Sequence, residues 1–305
     1  MHFIYKKLFL VLSICFIFSC STERIEEQNI QKFDSEIINS EITTSLNGRS
    51  VAIQNLNYGA NEEQVYDIYL PEERSTNTTK VIVLIHGGGW TSGDKSAMEE
   101  FIPMLQNANP NHAIVNMNYV LSNETTHAFP NQFNNIDDLL NELCNKSTEF
   151  QISNEFALIG RSSGGHIALM YDSVYDEFDR VKMVCSLSGP TDFTHPFYTD
   201  KPNFDRLFDK LVNVDAFPPN VNLIRRLSPA LRVNWYTSPT IIFHGNNDNI
   251  VPVGNSRKLK RKLKKKGIPK RLIRFENEGH SNWSDENMQV VDQKLNRFIQ
   301  NHFSI

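Results

Sequence analysis

The sequence predicts an α/β protein: a doubly wound, mostly parallel sheet of about eight strands with helices on both faces and a cap segment inserted at residues 191–238. Three observations carry this. Residues 81–85, VIVLI, form a continuous apolar and largely β-branched run, the pattern of a strand covered on both faces, and such strands belong to parallel sheets. Strand-like runs then alternate with stretches of helical periodicity along the rest of the chain. Finally, EFALIG, RSSGG and HIALMY, read consecutively over residues 155–171, give a buried strand, a sharp turn centred on Ser162, and a helix.

Taken in order, residues 1–20 stand apart from the fold. Lys6 and Lys7 precede an apolar stretch at 8–18 that is too short to span a bilayer comfortably, the pattern of a secretory signal. It ends in Ile17-Phe18-Ser19-Cys20, which resembles the lipobox of bacterial lipoproteins, so Cys20 is expected to become the lipidated first residue of the mature protein. A plain signal peptide cleaved elsewhere is the alternative. Ser21, where retention at the inner membrane would favour Asp, implies by the same resemblance an outer-membrane lipoprotein of the bacterial cell envelope, joined to the membrane by its lipid anchor. Residues 21–48 are rich in Glu, Asn, Ser and Gln and poor in apolar side chains, so they read as a flexible tether, although part of 37–46 could dock as an edge strand.

The folded domain is expected over residues 49–305. Strands are predicted at 65–70, where Pro71 ends the run, and at 81–85, 113–117, 155–160, 181–187, 239–244 and 271–276. Helices are predicted at 94–106, within 130–146 with Ile136, Leu139, Leu140 and Leu143 on one face, and at 285–302. Residues 191–238 break into short aromatic pieces with several prolines, too long for a simple connection, and are expected to cover Ser162. The basic run from Arg257 to Lys266 places Val253, Leu259 and Leu263 at helical spacing, so it reads as an amphipathic helix with a solvated lysine face. A contact with anionic polysaccharide or lipid headgroups is the second reading of that run. Cys144 and Cys185 read as small core residues whose pairing is open, and no metal-ligand spacing is present. A net charge of −4 gives no global basic field for nucleic acid.

The chemistry rests on separate loops. A serine hydroxyl is a weak nucleophile unless a base takes its proton, and a histidine base works best when a carboxylate fixes its tautomer. Asp248 and His280 each follow a predicted strand, so the chain order is Ser162, Asp248, His280, with separations of 86 and 32 residues. His86-Gly87-Gly88-Gly89-Trp90 follows another strand, and three consecutive glycines suit a loop that presents backbone N–H groups to an anion.

HGGGW at 86–90, GRSSGG at 160–165, HGNNDNIVP at 244–252 and EGH at 278–280 together resemble the α/β-hydrolase superfamily. The likeness covers residues from about 50 onward, and is strongest to the HGGG-bearing esterase and lipase branch related to hormone-sensitive lipase and to bacterial acetyl and feruloyl esterases. The resemblance implies a serine hydrolase of short acyl or aryl carboxylic esters, free or polysaccharide-linked, acting without cofactor or metal. It assigns Ser162 as nucleophile, His280 as base and Asp248 as acid, with Gly88, Gly89 and Ser163 as oxyanion-hole donors and Gly87 as a further candidate. Ser163 is a rival nucleophile and Asp192 a rival acid. His86 and His244 are structural in such proteins, and His166 is expected beneath the site. Trp90, Phe193, Phe197 and Tyr198 either line a substrate pocket or pack in the interior. Two positions depart from the branch: Ser163 stands where Ala is common, and Tyr119-Val120-Leu121 lacks the arginine of the usual Tyr-Arg-Leu. The alternatives are an amidase similar to kynurenine formamidases and a non-catalytic binding protein on the same fold.

Overall fold

The computed structural model describes residues 49–304. The signal segment, Cys20, the tether and the possible edge strand at 37–46 lie outside the described residues. In chain order the main elements are β1 (Val51–Asn57), β2 (Val65–Leu70), β3 (Val81–Ile85), α1 (Phe101–Ala108), β4 (Ala113–Met117), α2 (Asn131–Asn145) and β5 (Phe156–Arg161). They continue with α3 (Ser163–Met170), β6 (Val181–Leu187), α4 (Phe204–Leu211), β7 (Thr240–Gly245), α5 (Gly254–Lys265), β8 (Lys270–Phe275) and α6 (Asp285–His302). The strands form one eight-stranded sheet in the order β1-β2-β4-β3-β5-β6-β7-β8. β2 runs antiparallel to both β1 and β4, and all later pairings are parallel.

Strand pleating divides the apolar side chains between two faces. Ile82, Leu84, Ile114, Ala157, Ile159, Met183, Cys185, Ile241 and Phe243 join one cluster with Phe101, Ile102 and Leu105 of α1 and Val291, Leu295, Phe298 and Ile299 of α6. The alternate residues, Val83, Val115, Leu158, Val184 and Ile242, are equally buried and point to the opposite face, where α3 packs on β3, β5 and β6. Both faces of the central strands are therefore dry, which is why they read as unbroken apolar runs.

Two expectations are corrected, and one open point, the pairing of the two cysteines, is answered. The helix expected over 94–106 is broken into a 3₁₀ turn at Lys95–Met98, which Asp94 caps by accepting from the Ser96 N–H, and α1. Pro103, which has no N–H to donate, is accommodated in the first turn of α1. β1 was absent from the predicted strands: its register slips between Ile53 and Leu56, so alternation fails midway, and it lies half exposed at the sheet edge. Cys144 and Cys185 are both free thiols, Cys144 beside the Arg180 guanidinium and Cys185 in the core.

One buried acid has a measurable consequence. Asp172 accepts from the Ser238 N–H at 3.2 Å through both carboxylate oxygens, and burial pushes its pKa from 3.8 up to about 7 despite those hydrogen bonds. As pH rises from about 4 to about 7 the unfolded chain gives up this proton while the native state keeps it, so the native state loses stability across that window. Asp172→Asn has no such proton. Its unfolding free energy relative to the native protein should rise from pH 4 to pH 7 and then level off, as followed by denaturant titration at each pH. A pH-independent difference would show that the carboxyl titrates in the native state as it does in the unfolded chain.

Candidate active site

Ser162 sits between β5 and α3 with φ 52° and ψ −118°, a conformation costly for any residue with a Cβ, on the order of 1–3 kcal/mol. The turn is held by the Ser162 N–H donating to Leu187 O at 2.7 Å and by the His166 N–H returning to Ser162 O at 3.2 Å. Gly164 lets α3 approach β3: a Cβ there would lie 2.3 Å from Ile85 O and 2.4 Å from His86 O. The sequence folds this way locally because an elbow so tight leaves no volume for a side chain at that position.

The loops after β7 and β8 bring the two expected partners to Ser162. His280 Nε2 lies 2.7 Å from Ser162 Oγ, and His280 Nδ1 lies 2.7 Å from Asp248 Oδ2. Asp248 also accepts from the N–H groups of Ile250 and Val251 through Oδ1, at 2.9 and 2.8 Å. A fourth contact comes from buried His244, whose Nε2 is 3.1 Å from Asp248 Oδ2 and 2.8 Å from Val251 O. Two acceptors face that nitrogen, so it carries the proton, and Nδ1 accepts from Ser256 Oγ at 2.6 Å. Burial alone would raise the Asp248 pKa, but the hydrogen bonds from His244, His280 and Val251 outweigh it and hold the carboxyl well below the usual carboxylate range. An ionised Asp248 requires His280 to carry its proton on Nδ1, which leaves Nε2 free to accept from the serine hydroxyl.

In the glycine loop after β3 the carbonyls of Gly87 and Gly88 are occupied while the amides of Gly88 and Gly89 are not. His86 Nδ1 donates to Gly87 O at 2.6 Å, and Gly88 O accepts from the N–H groups of Thr91 and Ser92 and from Ser92 Oγ. Gly88 has φ 124°, and a Cβ on it would fall 1.8 Å from Ser92 O, so only glycine fits. Among the described residues no hydrogen bond uses the N–H of Gly88, Gly89 or Ser163. Ser163 is the first residue of α3, where N–H groups lack intrahelical partners and the helix dipole favours negative charge.

The rivals fall away on position. Ser163 is buried, with its hydroxyl 3.5 Å from Tyr119 OH, whereas the Ser162 hydroxyl is the one that meets His280. Asp192 is paired with Lys258 Nζ at 2.5 Å and accepts from Thr194 Oγ1 at 2.6 Å, and among the described residues no histidine ring bonds its carboxylate. His86 stacks on Tyr119 with ring centroids 4.2 Å apart and His244 is held by Ser256 and Val251, while it is His280 that meets the Ser162 hydroxyl.

His166 lies beneath the site and ties three segments together. Its Nδ1 accepts from Trp90 Nε1 at 3.3 Å and its Nε2 donates to Leu227 O of the inserted segment at 2.9 Å. Burial drives its pKa down to about 4, so the ring is neutral at ordinary pH. Trp90, Phe129 and Phe193 pack around it with centroids 5.1–5.5 Å from its own. Residues 191–238 are fastened further by paired backbone bonds of Phe129 with Leu211 and Asn213, and by the Thr191 and Asp192 N–H groups on Asn255 Oδ1. Spacing alone gives no sign of the His166 and His244 contacts, since their partners come from remote loops.

The profile of the BD-FAE family matches residues 66–263. The chain is 26% identical over 199 residues to a Mycobacterium tuberculosis protein named "Probable carboxylic ester hydrolase LipM", covering 61% of this chain and 45% of that protein. It spans about half the length of the curated relatives it matches. Among solved structures, a bifunctional GH43-CE protein of Bacteroides eggerthii superposes with a TM-score of 0.66 at 20% identity, over 81% of this chain and 38% of that one. An acetyl ester-xyloside bifunctional hydrolase of Caldicellulosiruptor lactoaceticus superposes with a TM-score of 0.63 at 18% identity, over 84% and 96% respectively. Those two likenesses concern the fold, and the family match spans most of it, from β2 into α5. The chain has the α/β-hydrolase fold and belongs to the BD-FAE family.

Proposed function

We propose that the protein is a serine hydrolase that cleaves short acyl or aryl carboxylic esters, including esters carried on saccharides, through an acyl-enzyme. The observation that carries this reading is the continuous relay Ser162 Oγ, His280, Asp248, with both links at 2.7 Å and the serine held on a strained elbow. Ser162 Oγ attacks the ester carbonyl as His280 Nε2 takes its proton. The oxyanion forms against the unspent N–H groups of Gly88, Gly89 and Ser163, and each such donor is worth about 10²–10³ in kcat. His280 then protonates the leaving alcohol, and water activated by the same nitrogen releases the acid and restores the serine. The names of the Mycobacterium relative and the Caldicellulosiruptor neighbour, an ester hydrolase and an acetyl ester hydrolase, support the choice of ester and of acetyl as the first acyl group to try.

The test is hydrolysis of p-nitrophenyl acetate and acetylated xylan, with N-formylkynurenine as the amide comparison. Asp248→Asn should cost about 10³–10⁴ in kcat, because the amide cannot hold the productive imidazole tautomer. Asp192→Asn should change kcat by no more than about threefold, because the group has no path to the imidazole. Equal losses in the two variants would overturn the assignment of the acid, faster turnover of the amide would make this an amidase, and inactivity on the whole panel would leave a binding protein.

A further inference from the structure

A cavity of about 420 Å³ opens between the inserted segment and α5. Its volume falls within the usual span for small-ligand sites, about 300–1,000 Å³. It lies at the same edge of the sheet as Ser162, because Asp192 and His195 follow the end of β6 and Gly254 follows the end of β7. Burial raises the Tyr198 pKa, and the charges of Asp248 and Asp192 raise it further.

The lining is a set of donors with one acid already spent. Asp192 is consumed by Lys258 at 2.5 Å and by Thr194 at 2.6 Å. Arg257 and Arg261, one turn apart on α5, also line the cavity, and among the described residues neither guanidinium has an ion pair or hydrogen bond. His195 Nδ1 accepts from the Phe197 N–H at 3.1 Å, so the proton of the neutral ring is on Nε2. That nitrogen faces Gly254, where a Cβ would lie 2.8 Å from it, so the glycine keeps the floor open. Three cations against one carboxylate, with two planar guanidinium forks unengaged, suit an oxyanion with two or more acceptor oxygens.

We propose that this cavity is an anion subsite, which takes the carboxylate or sulfate group of an acidic sugar in the chain that bears the ester. The inference rests on the ester-hydrolase reading for its choice of ligand, but its test does not depend on turnover. Binding of trigalacturonate, of a sulfated carrageenan disaccharide and of neutral xylotriose is measured by calorimetry on the native protein and on Arg257→Gln/Arg261→Gln. At least one anionic saccharide should bind about tenfold more tightly than xylotriose at low salt, and the double variant should lose that preference. Which of the two probes binds decides between carboxylate and sulfate.

Raising salt from about 0.05 to 0.5 M should shrink the preference, as expected for partly exposed charges. Gly254→Ala keeps every charge but narrows the cavity, and it should also reduce the preference. Equal binding of charged and neutral saccharides, or a preference untouched in the double variant, overturns the subsite. A preference lost in the double variant but kept in Gly254→Ala overturns the cavity in favour of a diffuse basic surface. Hydrolysis of p-nitrophenyl acetate by the native protein, followed in parallel, judges the hydrolase reading separately.

Discussion

Ser162→Ala should abolish hydrolysis of p-nitrophenyl acetate, lowering kcat by on the order of 10⁴-fold or more while leaving the protein folded. The loss is large because, on the proposed mechanism, the hydroxyl is the attacking atom, and among the described residues no other nucleophile bonds His280 Nε2. Stability should change little, since alanine meets the same backbone strain at φ 52° and gives up a partly buried hydrogen bond. His280→Ala should fall to a similar residual rate, and the double variant should be no worse than either single one, because the two groups act as a unit. Ser163→Ala is the control. It retains the backbone N–H and loses only a long contact to Tyr119, so its kcat should stay within about tenfold of native, well short of the cost of an oxyanion-hole donor. Steady-state kinetics alongside circular dichroism decide the matter. A Ser162→Ala protein with a tenth of native activity would remove Ser162 as nucleophile.

Gly164→Ala should have the largest effect on stability, lowering the unfolding free energy by about 3 kcal/mol or more, or preventing soluble expression. The new methyl would meet Ile85 O, His86 O and Ile85 C at 2.3, 2.4 and 2.8 Å, all of them backbone atoms of the central strand and its exit. No rotamer change relieves such a contact. α3 would have to lift from β3, moving Ser162 with it. Gly279→Ala offers the comparison, since a Cβ there meets nothing within 4 Å, and it should cost less than about 1 kcal/mol. Denaturant unfolding of both variants is the measurement, and equal stabilities would mean that the close approach of α3 to β3 is not what the glycine provides.

The parts of the fold that were legible are those whose residues had little physical choice. Residues 81–85 and 113–117 are dry on both faces, so each had to be an apolar run, and both strands match their predicted bounds. α6 was equally plain from 285 to 302, because its apolar side chains recur at helical spacing against one face of the sheet. The candidate site was readable for a related reason: the elbow at Ser162 and the loop at Gly88 exclude side chains, and steric exclusion leaves glycine in the sequence. β1 escaped because an edge strand with a bulge is under weak compositional demand. His244 beneath Asp248, His166 between Trp90 and Leu227, and the spending of Asp192 on Lys258 all depend on which loops meet at the end of the sheet. No local pattern encodes that.

The bonds of His166 to Trp90 and Leu227 also have a mechanical meaning. Residues 191–238 and the loop that would receive the oxyanion are both tied to one neutral imidazole ring. Pulling the inserted segment outward would therefore strain the loop, so the segment resembles a fixed plate more than a door on a hinge. On the hydrolase reading proposed above, an ester that meets residues 191–238 would meet a fixed outline, and changing that outline would mean recutting the segment rather than loosening it.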